Sequence, residues 1–544
     1  MPVYLGLDCS TQSFSAIAIA VEGSRREVLF ERSVGFDEYF PQYGTRDGVL
    51  PSGDPLVARS SPLLWAEALD RMMEIVARDL RNDRSRLAAI SGSAQQHGSV
   101  YIGAQATALL AALDPGRPLV AQVPGIFSRP DAPIWMDAST TPQCTAITQA
   151  MGGEVALARL AGSRACERFT GPQIRKFFED DPGAYARTDK IHLVSSFLAS
   201  LLAGAHAPVE PGDGAGTNLM DLASGCWSPA ALDATAPGLA AKLPGIGASW
   251  AVVGTLAPYW MRRYGFPPAR VVAWSGDNPC SLIGTGQVRE GGVTISLGTS
   301  DTLFGLRRTW QPDPSGAGHV FGAPTGDYMT LVCCRNGSLA RERVREEHGL
   351  DWPGFSRALR GTPPGNGGAI LVPWFEPEVT PSVPVGGGAR RYALDPADGP
   401  ANVRAVVEAQ MMALAIHSRW MRIRVETIHA TGGAAANREI LQVMANVHSA
   451  AVRPLKVGNS ACLGAALRAY HAAELAAGRP IPWDLVVAGF TDPAPGEGAA
   501  PVPAHAARYA ELMTVYSACE SHARGTGGDP APLIDAFRRR FRRA

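Results

Sequence analysis

The chain has 544 residues, 46% of them hydrophobic, enough apolar material for more than one buried core. Its 50 basic and 50 acidic residues cancel, which excludes a global field recruiting nucleic acid or an anionic membrane and leaves a small molecule as the expected partner. The 9 cysteines form no CxxC pair and no Cys/His ligand spacing, and no run approaches the ~20 apolar residues of a membrane span; a cytoplasmic chain with reduced thiols in its core and no leader is expected.

Residues 3–13, VYLGLDCSTQS, read as an apolar strand ending in a turn that holds Asp8, Ser10, Thr11, Gln12 and Ser13, and residues 14–21 as the returning strand. Over 63–80 the apolar residues Leu64, Ala68, Met72 and Ile75 recur at three and four, a helix that gives the chain an α/β character. Residues 87–91 are an apolar strand, and 92–99, GSAQQHGS, are too polar and Gly-rich to continue it, so Gln95, Gln96 and His97 lie just past a strand end. After the strand 271–274, Pro279 disfavours helical angles at Asn278 and puts Asp277 on a loop. Gly284, Gly286, Gly291 and Gly292 then make a flexible approach to a boundary near 285–290.

The second half opens on 293–301, VTISLGTSD, a strand ending in Gly298, Thr299 and Ser300 with a returning strand over 302–306, the same design as the N-terminus. The Pro- and Gly-rich stretches 312–326 and 373–399 read as surface excursions. A strand at 427–431, a turn at 432–436 and an amphipathic helix at 437–447 capped by Asn437 follow, then a helix at 460–475. Beyond about 479 the composition turns to Pro, Ala and Gly, and the chain ends in FRRRFRRA, read as a solvated helix face.

A turn rich in N–H groups and hydroxyls can cradle phosphate oxygens, and a carboxylate such as Asp8 beside it can hold Mg²⁺. Either turn alone serves equally as a hairpin whose Asp and Ser bond their own backbone; the recurrence half a chain later favours a duplicated core closing on one nucleotide. Phosphoryl transfer to an alcohol benefits from a carboxylate that accepts the hydroxyl proton, a role open to Asp277, although an Asp-Asn pair before proline is also an ordinary turn former. Gln96 and His97 can bond sugar hydroxyls or simply face solvent, and Arg168 can join them or pair with Glu167. Gly432 and Gly433 allow a flat base to lie close to the backbone, or only a tight connection. The stretch GDGAG at 212–216 lacks the dinucleotide-loop spacing and reads as a surface loop.

Taken in order, DCSTQS at 8–13, SGSAQQHG at 91–98, ERFTG at 167–171, SGDNPCSL at 275–282, SLGTSDTLF at 296–304 and ATGGAAANREILQVMANV at 430–447 resemble the FGGY carbohydrate kinases, most closely the eukaryotic-type members that act on D-xylulose. The resemblance implies an α/β fold of two actin-like (ribonuclease H-like) ATPase domains with an interdomain active-site cleft. It divides the chain into a sugar-binding domain over 1–287 with the first phosphate loop, a nucleotide-binding domain over 288–480 and an extension of unknown role over 481–544. It implies transfer of the ATP γ-phosphoryl group to the 5-hydroxyl of D-xylulose, with another ketose or polyol, or a non-catalytic binding module, as the alternatives. Carried over, Asp277 is the catalytic base and a sugar ligand, and Gln96, His97, Arg168 and Asn278 hold the sugar. Asp8 organises Mg²⁺, Thr11 with Gly298, Thr299 and Ser300 faces the phosphates, and Trp352, Gly432, Gly433 and Asn437 border the adenosine. Ala435 and Ala436 depart from a loop that is commonly more polar in the family. Neither nucleic acid nor membrane enters this reading, and a homodimer is the assembly it allows.

Overall fold

The computed structural model describes residues 1–383, 388–456, 458–493 and 496–541. It divides into two compact units. The first comprises Met1–Val288, Val320–Met329 and Val457–Thr491, and the second Arg289–His319, Thr330–Lys456 and Asp492–Ala544.

The core of the first unit is a sheet in which Val3–Cys9 is central. It pairs antiparallel with Ser13–Glu22 on one side and parallel with Leu87–Ala94 on the other, and Arg25–Gly35 and Arg270–Val272 extend the two flanks. All seven residues of Val3–Cys9 are buried, as a near-continuous apolar run requires when both faces are covered. One face packs against the helix Pro62–Leu80, which starts with proline at its first position and buries Leu64, Ala68 and Met72. The other face is covered by Ser460–Ala476.

That helix, expected with the second half, therefore belongs to the first unit. Gly284 and Gly464 explain the fit: a Cβ on Gly284 would stand 1.8 Å from the Ser460 carbonyl oxygen, and one on Gly464 would stand 1.9 Å from that of Cys280. Two helices meet here backbone to backbone, so Gly284 is a contact glycine rather than part of a flexible approach. Gly286 and Gly291 do take positive φ, 76° and 96°.

Three further expectations change. The strand read as ending at 91 continues to Ala94, because both sides of it are buried and the missing side chain of Gly92 makes room for the Trp274 indole. Asp277 opens the helix Asp277–Gly284 instead of sitting on a loop; Pro279 falls in its first turn, where no intrahelical N–H is needed. The stretch 212–216 is fully buried, with Asp213 1% exposed.

The second unit repeats the plan. Its strands stand in the order Tyr328–Cys334, Asp301–Arg307, Gly292–Leu297, Thr427–Thr431 and Ala451–Pro454, with Gly292–Leu297 antiparallel to Asp301–Arg307 and parallel to Thr427–Thr431. Helices Gly399–His417 and Arg438–His448 pack on this core. The Pro/Gly-rich stretches are surface excursions only in part: 388–399 are largely exposed, as read, but buried residues anchor the rest. His319, Val320 and Phe321 are buried, as are Trp374, Glu378 and Thr380, and the Glu378 carboxylate accepts the backbone N–H groups of Arg335 and Asn336; residues 384–387 lie outside the described residues.

The C-terminal stretch is also structural. Trp483–Val487 joins the first unit's core, and Pro503–Ala523 with Ala531–Phe541 joins the second's, where Tyr509 donates to Glu408 at 2.6 Å and accepts from Arg404 at 2.6 Å. Arg538, Arg539 and Arg540 lie in the last turn of Ala531–Phe541, and Arg542 and Arg543 lie outside the described residues. Cys9, Cys144, Cys166, Cys280, Cys334, Cys462 and Cys519 are buried free thiols. Among the described residues no helix is long and apolar enough to cross a membrane.

Candidate active site

In the first unit the proposed acceptor residues come from adjacent strand ends. Leu87–Ala94 delivers Gln96 and His97, and the parallel pair Ser275–Gly276 delivers Asp277 and Asn278. Asn278 Nδ2 donates to Gln96 Oε1 at 2.8 Å and to Asp277 Oδ1 at 3.1 Å, and the Asn278 backbone N–H donates to the same carboxylate oxygen at 2.8 Å. Burial, and then the nearby Asp8 carboxylate, push Asp277 up to about 7, against the backbone N–H groups of Asn278 and Gln96 that favour its charge. A carboxylate in that range exchanges a proton readily at neutral pH.

His97 has a positive φ of 72° and is 7% exposed. Its ring stacks on Phe169 at 4.3 Å and lies 6.3 Å from Phe321. Its Nδ1 is 2.7 Å from the Gly216 carbonyl, an acceptor only, which fixes the proton on Nδ1 and leaves Nε2 as a lone pair. Burial, and secondarily the Arg168 charge, lower its pKa to about 3, so the ring is neutral. The Arg168 guanidinium stands 5.7 Å over the Phe169 ring, on the aromatic that supports His97.

The turn after Val3–Cys9 holds Asp8 and Thr11. Asp8 is 3% exposed, receives Asn459 Nδ2 on Oδ2 at 3.1 Å and leaves Oδ1 without a hydrogen-bond partner. Burial raises its pKa, opposed mainly by the Asn459 amide. An orphaned buried carboxylate oxygen fits a hard cation such as Mg²⁺. Among the described residues no group of three or more His, Cys, Asp or Glu side chains could hold a metal ion, so phosphate oxygens and water would have to complete its shell. Thr11 Oγ1 accepts from the Trp135 indole N–H at 2.8 Å.

The second unit carries a pocket of ≈ 690 Å³ whose lining includes Gly298, Thr299, Trp352, Gly433 and Asn437. Ser300 and Gly432 are next in sequence to lining residues without lining it themselves. Asn437 uses its side chain structurally: Oδ1 caps the helix at the N–H groups of Glu439, 3.0 Å, and Ile440, 3.3 Å, while Nδ2 donates to Ser356 at 2.9 Å. Trp352 is 43% exposed, with the Arg345 guanidinium 5.0 Å over its ring.

Sequence reasoning missed several residues here. Arg341, 1% exposed, lines the pocket and forms a bidentate pair with Asp301 at 2.6 and 3.0 Å, which ties the end of the Gly298–Ser300 turn to the helix Ser338–Glu347. Arg360, paired with Glu439 at 2.8 Å, closes another side. Neither belongs to a quoted motif, and a lone arginine in a helix gives no signal of its own. In the first unit Asp213 lies in the 212–216 stretch read as a surface loop, and Glu210 just before it carries no sequence signal of its own. Asp213 accepts from Ser195, leaves Oδ1 unpartnered and is pushed up to about 8, first by burial, with Glu210 and Asp277 adding to it and Arg468 opposing.

Each unit thus presents the same strand, polar turn and returning strand, one beside the Asp277 carboxylate with Gln96, His97 and Asn278 and the other beside a pocket of ≈ 690 Å³. That combination is the outline of an actin-like phosphotransferase. Residues 130–284 match the N-terminal domain, and residues 293–473 the C-terminal domain, of the FGGY family of carbohydrate kinases. The xylulose kinase of Mus musculus is 42% identical, covering 97% of this chain and 95% of its own, and xylulose kinase 2 of Arabidopsis thaliana is 40% identical, covering 86% and 87%. Among solved structures, a xylulose kinase from Rhodospirillum rubrum has a TM-score of 0.81 at 19% identity, covering 96% of this chain and 99% of its own. A Plasmodium falciparum glycerol kinase solved with ADP has a TM-score of 0.74 at 15% identity, covering 94% and 97%. The chain belongs to the FGGY family of carbohydrate kinases. It is an ATP-dependent phosphotransferase with an alcohol group as acceptor, on a fold of two actin-like ATPase domains.

Proposed function

We propose that the enzyme phosphorylates D-xylulose at its 5-hydroxyl, giving D-xylulose 5-phosphate and ADP. The observation that carries this reading is the Asp277 carboxylate, poised near neutrality and bonded through Asn278 to Gln96 beside His97, in a chain 40–42% identical to xylulose kinases over most of its length. The glycerol kinase neighbour shares the fold with a different acceptor, so the sugar is argued from the site and the relatives rather than from topology.

In this reading Asp277 accepts the proton of the 5-hydroxyl as its oxygen bonds to the γ-phosphorus and the bond to the β–γ bridging oxygen breaks, releasing ADP. His97, its Nδ1 proton committed to Gly216, accepts a sugar hydroxyl on Nε2, and Arg168, Asn278 and Gln96 complete the acceptor side. Trp352, Gly433 and Asn437 with Gly432 border the adenosine, and Gly298, Thr299, Ser300 and Thr11 offer N–H and O–H groups to the phosphates. Asp8 would hold Mg²⁺, which when bound neutralises charge on the phosphate oxygens. A cytoplasmic homodimer is the setting this reading allows.

The test is ADP release by the purified protein with D-xylulose, D-ribulose, sedoheptulose and glycerol, with the product's phosphorylated carbon identified by NMR. D-Xylulose should show the highest kcat/KM and carry phosphate on carbon 5; a higher kcat/KM for another acceptor would overturn the assignment.

A further inference from the structure

Two chain segments carry Gln96 with His97 and Asp277 with Asn278, and both are tied, directly or through one turn, to a single buried side chain, Glu210, which is 0% exposed. Its Oε2 receives the backbone N–H groups of Gly212 at 2.8 Å and Asp213 at 3.2 Å and also the Ser275 hydroxyl, while Oε1 receives the Ser249 hydroxyl. Ser275 is two residues before Asp277 on the strand that delivers it. The turn that Glu210 caps presents two carbonyls to the other arm of the site: Gly212 accepts from Gln96 Nε2 at 3.3 Å, and Gly216 accepts from His97 Nδ1 at 2.7 Å.

Helix capping alone explains only the two N–H groups. The two hydroxyls come from 39 and 65 residues further along the chain, and a fully buried carboxylate persists only where its acceptor capacity is well used. We propose that Glu210 is the positioning residue of the acceptor site: touching no substrate itself, it holds the Asp277 strand and the turn that orients Gln96 and His97 in one frame. This rests on the reading of Asp277 as the base. A carboxylate displaced by even ~1 Å from the hydroxyl it serves loses about a hundredfold in rate, so a shared strut has a direct kinetic consequence.

The serines separate positioning from general stability. Ser249→Ala and Ser275→Ala each remove one hydroxyl from the same carboxylate, but only Ser275 leads into Asp277. Ser275→Ala should lower kcat about tenfold or more with the KM for ATP unchanged, while Ser249→Ala keeps kcat near wild type at a similar loss of thermal midpoint. Glu210→Gln, whose amide cannot accept on both sides, should lower kcat and raise the KM for D-xylulose, and Glu210→Gln/Ser275→Ala should be no slower than Glu210→Gln alone because both break one strut. Equal kcat in the two serine variants, or losses that follow the KM for ATP, would overturn the proposal, and the serine pair decides it even where Glu210→Gln does not fold. Asp277→Asn run alongside separates the two levels: full turnover in that variant sinks the reading of the base, whereas an inactive Asp277→Asn with equivalent serine variants sinks only the role of Glu210.

Discussion

Asn278 gives its side-chain amide to Gln96 across 2.8 Å while its own backbone N–H and the same amide hold Oδ1 of Asp277. Asp277→Asn keeps the shape and the helix N-terminus but removes the proton acceptor. It should retain nucleotide binding and lose sugar phosphorylation by ~10² to 10⁴ fold, the usual contribution of a positioned general base. Coupled ADP release and calorimetry on the same preparation check both halves.

His97→Ala and Arg168→Ala should weaken D-xylulose by ~1 to 3 kcal/mol per lost buried bond and leave ATP affinity where it was. Both residues belong to the aromatic stack on Phe169 in the first unit, whereas the nucleotide pocket is built from the second. Titration calorimetry with each ligand separately is the measurement; a fall in ATP affinity alone would refute the placement.

Trp352 has an exposed ring face in the second unit's pocket, and stacking of a base on an aromatic side chain contributes ~1 to 3 kcal/mol. Trp352→Ala should raise the KM for ATP about tenfold or more at constant KM for the sugar. Initial-rate kinetics at saturating acceptor test it.

Asp213 gives a pH signature in stability. Its folded-state pKa of about 8 exceeds the ordinary 3.8, so the unfolded chain releases this proton first as pH rises. The stability it contributes is therefore fully present below about pH 3.8 and is lost as pH rises through about 8. Asp213→Asn cannot ionise. Its midpoint relative to wild type should climb steadily from acid to mildly alkaline pH, and a constant difference would show that Asp213 does not titrate in that window.

Gly284→Ala tests the crossing of Asp277–Gly284 with Ser460–Ala476. A methyl group 1.8 Å from the Ser460 carbonyl forces the helices apart, and overpacking of this kind costs ~1 to 3 kcal/mol. The variant should melt earlier and, because Asp277 sits on the displaced helix, also turn over more slowly.

Local signals in the sequence were strong where one segment decides its own structure. Thr427–Thr431 and the Asn437 cap stand as read, since Thr427, Ile428 and Thr431 favour an extended backbone and a side-chain cap bonds only its own helix. Asp277, Gln96, His97 and Asn278 were legible because short polar motifs after apolar strands mark strand ends, and the sheet brings those ends together. Glu210 and Asp213 were not: the 212–216 stretch is glycine-rich, which reads as surface, while the partners of this buried turn, Ser249, Ser275 and Arg468, lie far along the chain. Proline and glycine misled for the same reason at 312–326 and 373–383, where Phe321 and Trp374 carry the segment into a core that its composition does not announce. The return of 458–491 to the first unit is a packing choice between helices of similar pattern, settled by Gly284 and Gly464.

That return has a consequence for the chain as it is made. The strands Val3–Cys9 and Leu87–Ala94 leave the ribosome early, but the helix that covers one face of their sheet is Ser460–Ala476. At about 5–20 residues per second the wait is on the order of tens of seconds. During it Tyr4, Ile17, Ile19 and Ala89 have no permanent cover, and the nascent chain carries an apolar patch of the kind that holding chaperones recognise.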